Sequence, residues 1–280
     1  MMIDRSRISL NRILFPAANL EEFFRLTSEL GLNKVELRND IHGKGIIDSY
    51  SPKQVKRLSE KYGITIRTIN ALQKFNLGRI LPKVLVELRE LISLSVAIDC
   101  GAIVLVPNNE VDDERDSKTM MQETIAALKA FGPLFEESGL FGYVEPLGFE
   151  ECSLRSKITA MKAIQESGCS NYKIVHDTFH HHLGPDARDA LENEYDITYT
   201  GLVHVSGVEQ DIPVNQYRDS HRFLITAGDN LKNREQIEHL ITLGYTGDIS
   251  FEPFASEVQR MEAEVLKSHV DQSIRFLTHT

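Results

Sequence analysis

The sequence predicts an α/β protein, a single (β/α)8 barrel of the TIM type occupying residues 1–280 as one domain. Three observations predict it. Short β-rich runs alternate from end to end with longer stretches whose apolar residues fall at i, i+3 and i+4. The β-rich runs number eight, and eight parallel strands joined by helical crossovers close into a barrel of about 250 residues. No Gly-x-Gly-x-x-Gly follows the first run, where an open dinucleotide-binding sheet would carry one.

The predicted strands are residues 7–11, 34–38, 64–70, 102–107, 140–145, 173–177, 201–205 and 248–252. Between them the amphipathic spacing predicts helices over 20–30, 52–62, 82–100, 117–138, 154–167, 185–195 and 233–243, and a terminal helix over 256–277. Gly31, Gly63, Gly101, Gly139, Gly168 and Gly244 each stand just past a helical stretch and before a strand, where a left-handed cap is needed. Ser51-Pro52 supplies an N-cap followed by proline at the first helical position. Linkers, low-complexity tracts and repeats beyond the βα unit are missing from the sequence.

Composition narrows the function classes. The formal charge of −10 repels a phosphate backbone. The most basic stretch, Lys53 to Arg67, has its charges at helical spacing with Glu60 among them and reads as a solvated helix face. Nucleic acid is therefore not an expected partner. Cys100, Cys152 and Cys169 are odd in number and lack Cys-x-x-Cys spacing, which fits a reducing cytoplasm. Met1 to Asn11 has no continuous apolar segment of the secretory type, and no apolar run approaches 18 residues, so no membrane span is expected.

Catalytic groups of such barrels come from the C-terminal ends of strands and the loops after them. The fifth strand ends in Tyr143-Val144-Glu145, the sixth in Val175-His176-Asp177, the seventh holds His204, and the eighth ends in Phe251-Glu252. Any one of these alone reads as a helix N-cap or a core histidine. Three carboxylates and an imidazole on four successive strand ends would instead repel one another unless a cation joined them. A divalent metal ion is thus expected on Glu145, Asp177, His204 and Glu252. Oxygen-rich ligation with one nitrogen suits Mn²⁺, Mg²⁺ or Co²⁺ and accepts Zn²⁺. Glu36, Arg38 and Asn70, at the ends of strands two and three, are candidate substrate contacts, with a structural ion pair or cap as the alternative reading. His180-His181-His182 reads as strand or loop, where neighbouring side chains point in different directions, so the three cannot share one metal. His180 and His182 are taken as pocket candidates and His181 as a bystander.

The strings Val-Glu-Leu-Arg (35–38), Ile-Asn-Ala-Leu (69–72), Val-Glu-Pro-Leu-Gly (144–148), His-Asp-Thr-Phe-His-His-His (176–182), Val-His-Val-Ser-Gly (203–207) and Phe-Glu-Pro-Phe (251–254) span nearly the whole chain. In them the sequence resembles the xylose-isomerase-like barrel superfamily, and within it the inosose (2-keto-myo-inositol) isomerases. The resemblance implies one divalent metal on Glu145, Asp177, His204 and Glu252, a substrate-contacting His180 and an Arg222 near the ligand. The family's Pro-Gly-x-Gly after that arginine is replaced here by Ile225-Thr226-Ala227-Gly228, a departure that changes the expected loop shape.

The expected chemistry is isomerisation of a small polyhydroxy ketone through an enediolate, whose charge a metal stabilises. Glu145 or Glu252 would shuttle the proton, with His180 donating to a substrate oxygen. The resemblance implies 2-keto-myo-inositol as substrate, in inositol catabolism. Rivals sharing such a metal site are a ketose 3-epimerase, a hydroxypyruvate isomerase and a dehydratase of a cyclic hydroxy ketone. A DNA-repair endonuclease needs further histidines where this chain has Arg38, Asn70 and Pro107, and a non-catalytic sugar-binding barrel would not need all four ligands. Barrels of this superfamily often associate, so a homo-oligomer is allowed.

Overall fold

Alternation of apolar and polar residues along each strand decides which side chains meet inside the barrel and which meet the helices. In the computed structural model, which describes residues 3–278, the strands are β1 (Ile8–Asn11), β2 (Lys34–Arg38), β3 (Thr65–Leu72), β4 (Ala102–Leu105), β5 (Phe141–Val144), β6 (Tyr172–Asp177), β7 (Thr200–Val205) and β8 (Asp248–Phe251). All pair in parallel in sequence order, and β1 also pairs with β8 through Ile8↔Ile249 and Leu10↔Phe251, closing the barrel. Met1 and Met2, part of the N-terminal stretch read above, lie outside the described residues.

The helices are α1 (Leu20–Glu29), α2 (Pro52–Tyr62), α3 (Leu81–Ala97), α4 (Ser117–Ser138), α5 (Lys157–Ser167), α6 (Thr178–Leu183), α7 (Arg188–Glu194), α8 (Asn233–Thr242), α9 (Ser256–Gln259) and α10 (Ala263–Thr278). Ile8, Leu10, Val35, Leu37, Val203, Val205, Ile249 and Phe251 pack outward into one core with Phe23, Leu88, Phe131, Ile237 and Val270 from the helices. The barrel interior holds a smaller apolar layer of Ala71, Val104, Val175 and Leu202. The period of two then turns Asn11, Glu36, Thr68, Asn70, His204 and Glu252 toward the same interior. At the opposite end Asp248 closes the barrel by pairing with Lys34 (2.6 Å) and Arg67 (2.7 Å).

Helix ends follow the predicted chemistry in most places. Asn19 and Glu22 form a reciprocal capping box at α1, and Gly63, Gly139 and Gly168 take left-handed caps near φ +70° after α2, α4 and α5. Gly101 does not; the left-handed residue after α3 is Asp99 at φ 58°, two positions earlier, because α3 stops at Ala97. Two segments differ from expectation. The expected terminal helix is broken at Arg260–Glu262 into α9 and α10. The histidine run expected as strand or loop is the short helix α6, capped by Asp177 Oδ1, which accepts from the backbone N–H of Phe179 and His180. Among the described residues no helix is long and apolar enough to cross a membrane.

Candidate metal centre

The C-terminal ends of β5 to β8 bring Glu145, Asp177, His204 and Glu252 together, each buried, with one ligand atom from each lying within 4.8 Å of all the others. His204 Nδ1 is 2.7 Å from Glu145 Oε1, 3.3 Å from Glu252 Oε2 and 4.0 Å from Asp177 Oδ2. Asp177 serves two purposes at once. Its Oδ1 caps α6 while its Oδ2 faces the cluster, so acting as an N-cap leaves the second oxygen of the same carboxylate free to be a candidate ligand.

Two guanidiniums close the ring of carboxylates. Arg222 Nη2 donates to Asp177 Oδ2 (2.5 Å) and Glu252 Oε2 (2.9 Å), and Arg38 Nη1 donates to Glu252 Oε1 (2.6 Å). Both arginines reach outward as well, Arg38 in a fork to Asp40 and Arg222 to Asp219. Their planes lie against Phe254, at 4.9 and 4.7 Å from its centroid, and Arg222 also against Phe179 at 5.1 Å, which holds the charged heads in fixed positions.

The electrostatics of this cluster are those of a cation site. Burial favours neutral forms, and it raises the carboxyl of Glu145. Burial also works against charge on Glu252, but the His204, Arg222 and Arg38 charges outweigh it and hold Glu252 well below the carboxylate range. His204 is pushed well above its ordinary value, against burial, by Glu252, Glu36 and Glu145. Three carboxylates around an imidazole thus draw positive charge inward, and the oxygen-rich donor set with one nitrogen fits a divalent ion of the Mn²⁺, Mg²⁺, Co²⁺ or Zn²⁺ group.

Above the cluster lies a cavity of about 210 Å³ whose walls include Arg38, Asn70, Gln73, His180, Arg222 and Phe254. His180 stands edge-on to Phe149 (5.1 Å) and Phe179 (5.3 Å), and its buried Nδ1 has no hydrogen-bond partner among the described residues. A buried unpartnered ring nitrogen in a cavity wall is suited to a ligand oxygen.

Of the sequence-derived contacts, Arg38, Asn70, His180 and Arg222 line this cavity. Glu36 and His182 stand elsewhere. Glu36 is fully enclosed beneath the ligand set, accepting from Thr68 Oγ1 (2.5 Å), Asn70 Nδ2 (3.0 Å) and Asn11 Nδ2 (3.4 Å) with His204 Nε2 at 3.1 Å. His182 stacks on Tyr217 at 6.1 Å and lines an outer crevice between α6, α7 and α8. The Ile225-Thr226-Ala227-Gly228 loop borders a different, largely apolar groove against α10. Arg222 is delivered instead by a single 3-10 turn, Asp219–His221, and by the short bridge between Gly207 and Phe223.

Sequence reasoning passed over Asn11, Thr68, Gln73 and Phe254. Asn11 Nδ2 donates to Glu252 Oε1 (3.1 Å), and Phe254 is the ring on which both arginines rest. A polar residue inside an otherwise apolar strand, as in Thr68-Ile69-Asn70, was the available signal.

Residues 24–278 match the family described as the xylose isomerase-like TIM barrel. An inosose isomerase from Halalkalibacterium halodurans is 23% identical over 269 residues, covering 93% of this chain and 92% of the relative. A crystal structure of a xylose isomerase domain containing protein from Salmonella typhimurium LT2 superposes with TM-score 0.92 at 35% identity, over 99% of each chain. The IOLI protein with a binding zinc atom superposes with TM-score 0.88 at 18% identity, over 97% of this chain and 98% of its own. With eight parallel strands in order and a match over most of its length, the chain belongs to the xylose isomerase-like TIM barrel family.

Proposed function

We propose that this protein is a divalent-metal-dependent isomerase that moves the carbonyl of a small polyhydroxy ketone to the neighbouring carbon, with 2-keto-myo-inositol converted to its 1-keto isomer. The observation that carries the reading is the convergence of Glu145, Asp177, His204 and Glu252 within 4.8 Å beneath a small polar cavity. The similarity over nine tenths of the chain to an inosose isomerase supports the substrate.

Glu145, Asp177, His204 and Glu252 would hold the ion. Once bound, it would supply Lewis-acid stabilisation for the negative charge that develops on the substrate. The chain's own groups then do the following. A carboxylate of the pair Glu145 and Glu252 takes the proton from the hydroxyl-bearing carbon beside the ketone, and the electron pair moves into a carbon–carbon double bond, giving the enediolate. The same proton, or one exchanged with solvent, returns to the former carbonyl carbon, and the proton of the neighbouring hydroxyl passes to the former carbonyl oxygen, so that carbonyl and hydroxyl exchange places. Arg38 and Arg222 keep Glu252 ionised and present further N–H donors to substrate oxygens. His180 offers its unpartnered Nδ1 to a hydroxyl.

Charge favours a neutral substrate. Glu36, Glu145, Asp177 and Glu252, with Asp40 and Asp219 at the rim, outweigh two arginines and one divalent ion, so a phosphorylated or carboxylated sugar meets net repulsion. The cavity also falls below the ~300–1,000 Å³ of drug-sized clefts. Three free cysteines, two of them buried, agree with a cytoplasmic setting.

The test is a substrate panel: metal-loaded protein with 2-keto-myo-inositol, with free ketoses, with hydroxypyruvate and with a dehydratable cyclic ketone, followed by proton NMR. A 1-keto product from inosose supports the reading. Conversion of a ketose to its 3-epimer with inosose untouched would replace the substrate and keep the enediolate chemistry.

A further inference from the structure

Beneath the four candidate ligands lies a second ring of groups, Asn11, Glu36, Thr68 and Asn70, of which Asn70 alone also lines the cavity, and it fixes how His204 is presented. The imidazole offers two different nitrogens to two different surroundings. Nδ1 faces Glu145, Glu252 and Asp177 at 2.7, 3.3 and 4.0 Å. Nε2 faces away from them, 3.1 Å from Glu36 Oε2.

Glu36 is held so that it can only accept. Thr68 Oγ1–H and Asn70 Nδ2–H donate to the same Oε2, and Asn11 Nδ2–H donates to Oε1. With three N–H and O–H donors aimed at its two oxygens, the buried carboxyl is surrounded as a carboxylate is, by groups placed to give it hydrogen bonds. A carboxylate so held requires a proton on the nitrogen it meets. The other nitrogen is then left with its lone pair toward the carboxylates whenever the ring is neutral. Histidine ligands of metals commonly give their second ring N–H to such a partner, which fixes tautomer and orientation.

We infer that Glu36 is a positioning residue: through its bond to Nε2–H it locks His204 in the tautomer that presents Nδ1 to the metal, and Asn11, Thr68 and Asn70 hold Glu36 for that purpose. The inference rests on the metal reading of Glu145, Asp177, His204 and Glu252. It replaces a substrate contact at Glu36, which the burial of that side chain leaves no room for. The competing arrangement puts the ion between Glu36 and Nε2.

The experiment uses the full chain with histidine labelled in ¹⁵N and ¹¹³Cd²⁺ as the probe ion, together with titration of Cd²⁺ and Zn²⁺ into wild type, Glu36→Gln and Glu36→Ala. In wild type, ¹¹³Cd–¹⁵N coupling should appear at His204 Nδ1, with a slowly exchanging Nε2–H signal. Glu36→Ala should lose that signal and bind either ion about 10–100-fold more weakly. Glu36→Gln, which keeps an acceptor for Nε2–H, should keep the signal and fall between the two in affinity. Coupling at Nε2, or wild-type affinity in Glu36→Ala, would overturn the inference while leaving the metal site standing. Should Glu36→Ala not fold, Glu36→Gln alone decides, because wild-type affinity together with an absent Nε2–H signal contradicts the lock. Failure of wild type to take up either ion would overturn both this inference and the proposed function.

Discussion

Strand β6 carries histidine chemistry on both of its faces, and the two faces have opposite electrostatic character. Inward, Asp177 joins the cluster where three carboxylates and Glu36 surround His204 and raise its affinity for a proton. Outward, His176 contacts Lys157 and Gln236, with His181 4.7 Å away, ring to ring. His239 and His182 border the same crevice. Burial first, and then Lys157 and neighbouring imidazoles, push His176 well below its ordinary value. The more histidine-rich region is therefore the one less suited to a cation. What makes a metal site is the sign of the charges facing the imidazole rather than the number of imidazoles.

The largest expected effect lies on the inner face. Asp177→Asn keeps an oxygen for the α6 cap and removes a ligand charge, and it should lower metal occupancy and turnover by at least about 100-fold, beyond the 10–100-fold typical of outer partners. Metal analysis after dialysis, with kcat at saturating metal, checks this; full occupancy with normal turnover would erase the distinction between the faces. Next, Gly148→Ala would place a methyl 2.3 Å from the His180 carbonyl and 2.6 Å from Leu183 Cβ. It should cost about 1–3 kcal/mol and raise KM by moving α6, read from thermal unfolding and steady-state kinetics.

The outer face gives a stability effect with a definite pH sign. Burial lowers the Lys157 amine to about 7 from its ordinary 10.5. Between those values the unfolded chain binds more protons than the folded one, so this lysine makes stability rise with pH across pH 7 to 10.5, and its penalty is full below pH 7. Lys157→Met should accordingly stabilise the protein at pH 6–7, by roughly 1–4 kcal/mol, with the advantage shrinking toward pH 10. A difference in Tm that stays constant with pH would contradict the assignment. The smallest effect on turnover belongs to His181→Gln, expected to leave kcat/KM within about twofold, since its ring packs on His176 in the outer crevice and does not line the cavity above the candidate ligands.

The inner face was readable in the sequence because a strand has a period of two and a barrel has a chemical end. Residues 145, 177, 204 and 252 each stand at or next to the end of a largely apolar strand, and the parallel register, which pairs Asp177 with His204 and leaves Glu145 and Glu252 just past Val144 and Phe251, puts all four at one mouth. The second ring was not readable as such. Asn11 and Thr68 carry no charge, and nothing local separates an asparagine that holds a buried carboxylate from one that ends a strand. Glu36 carried a signal, but its direction, down to His204 rather than up to a ligand, depends on contacts across the barrel. Helix α6 was hidden because three consecutive histidines have no helical periodicity and its cap is the candidate ligand Asp177. Residues 225–228 depart from the family's glycines without displacing Arg222, which packs against Phe179 and Phe254, a support that no local pattern in the sequence displays.

The most direct measurement of the central claim is metal content combined with solvent exchange. Chelator-treated protein would be incubated with 2-keto-myo-inositol in D2O, with and without Zn²⁺ or Mg²⁺ restored, and followed by NMR for deuterium entering the carbons beside the ketone. The account predicts one ion per chain and metal-dependent deuterium incorporation that Glu252→Gln abolishes. Incorporation and product formation at the same rate in the fully stripped protein would contradict it.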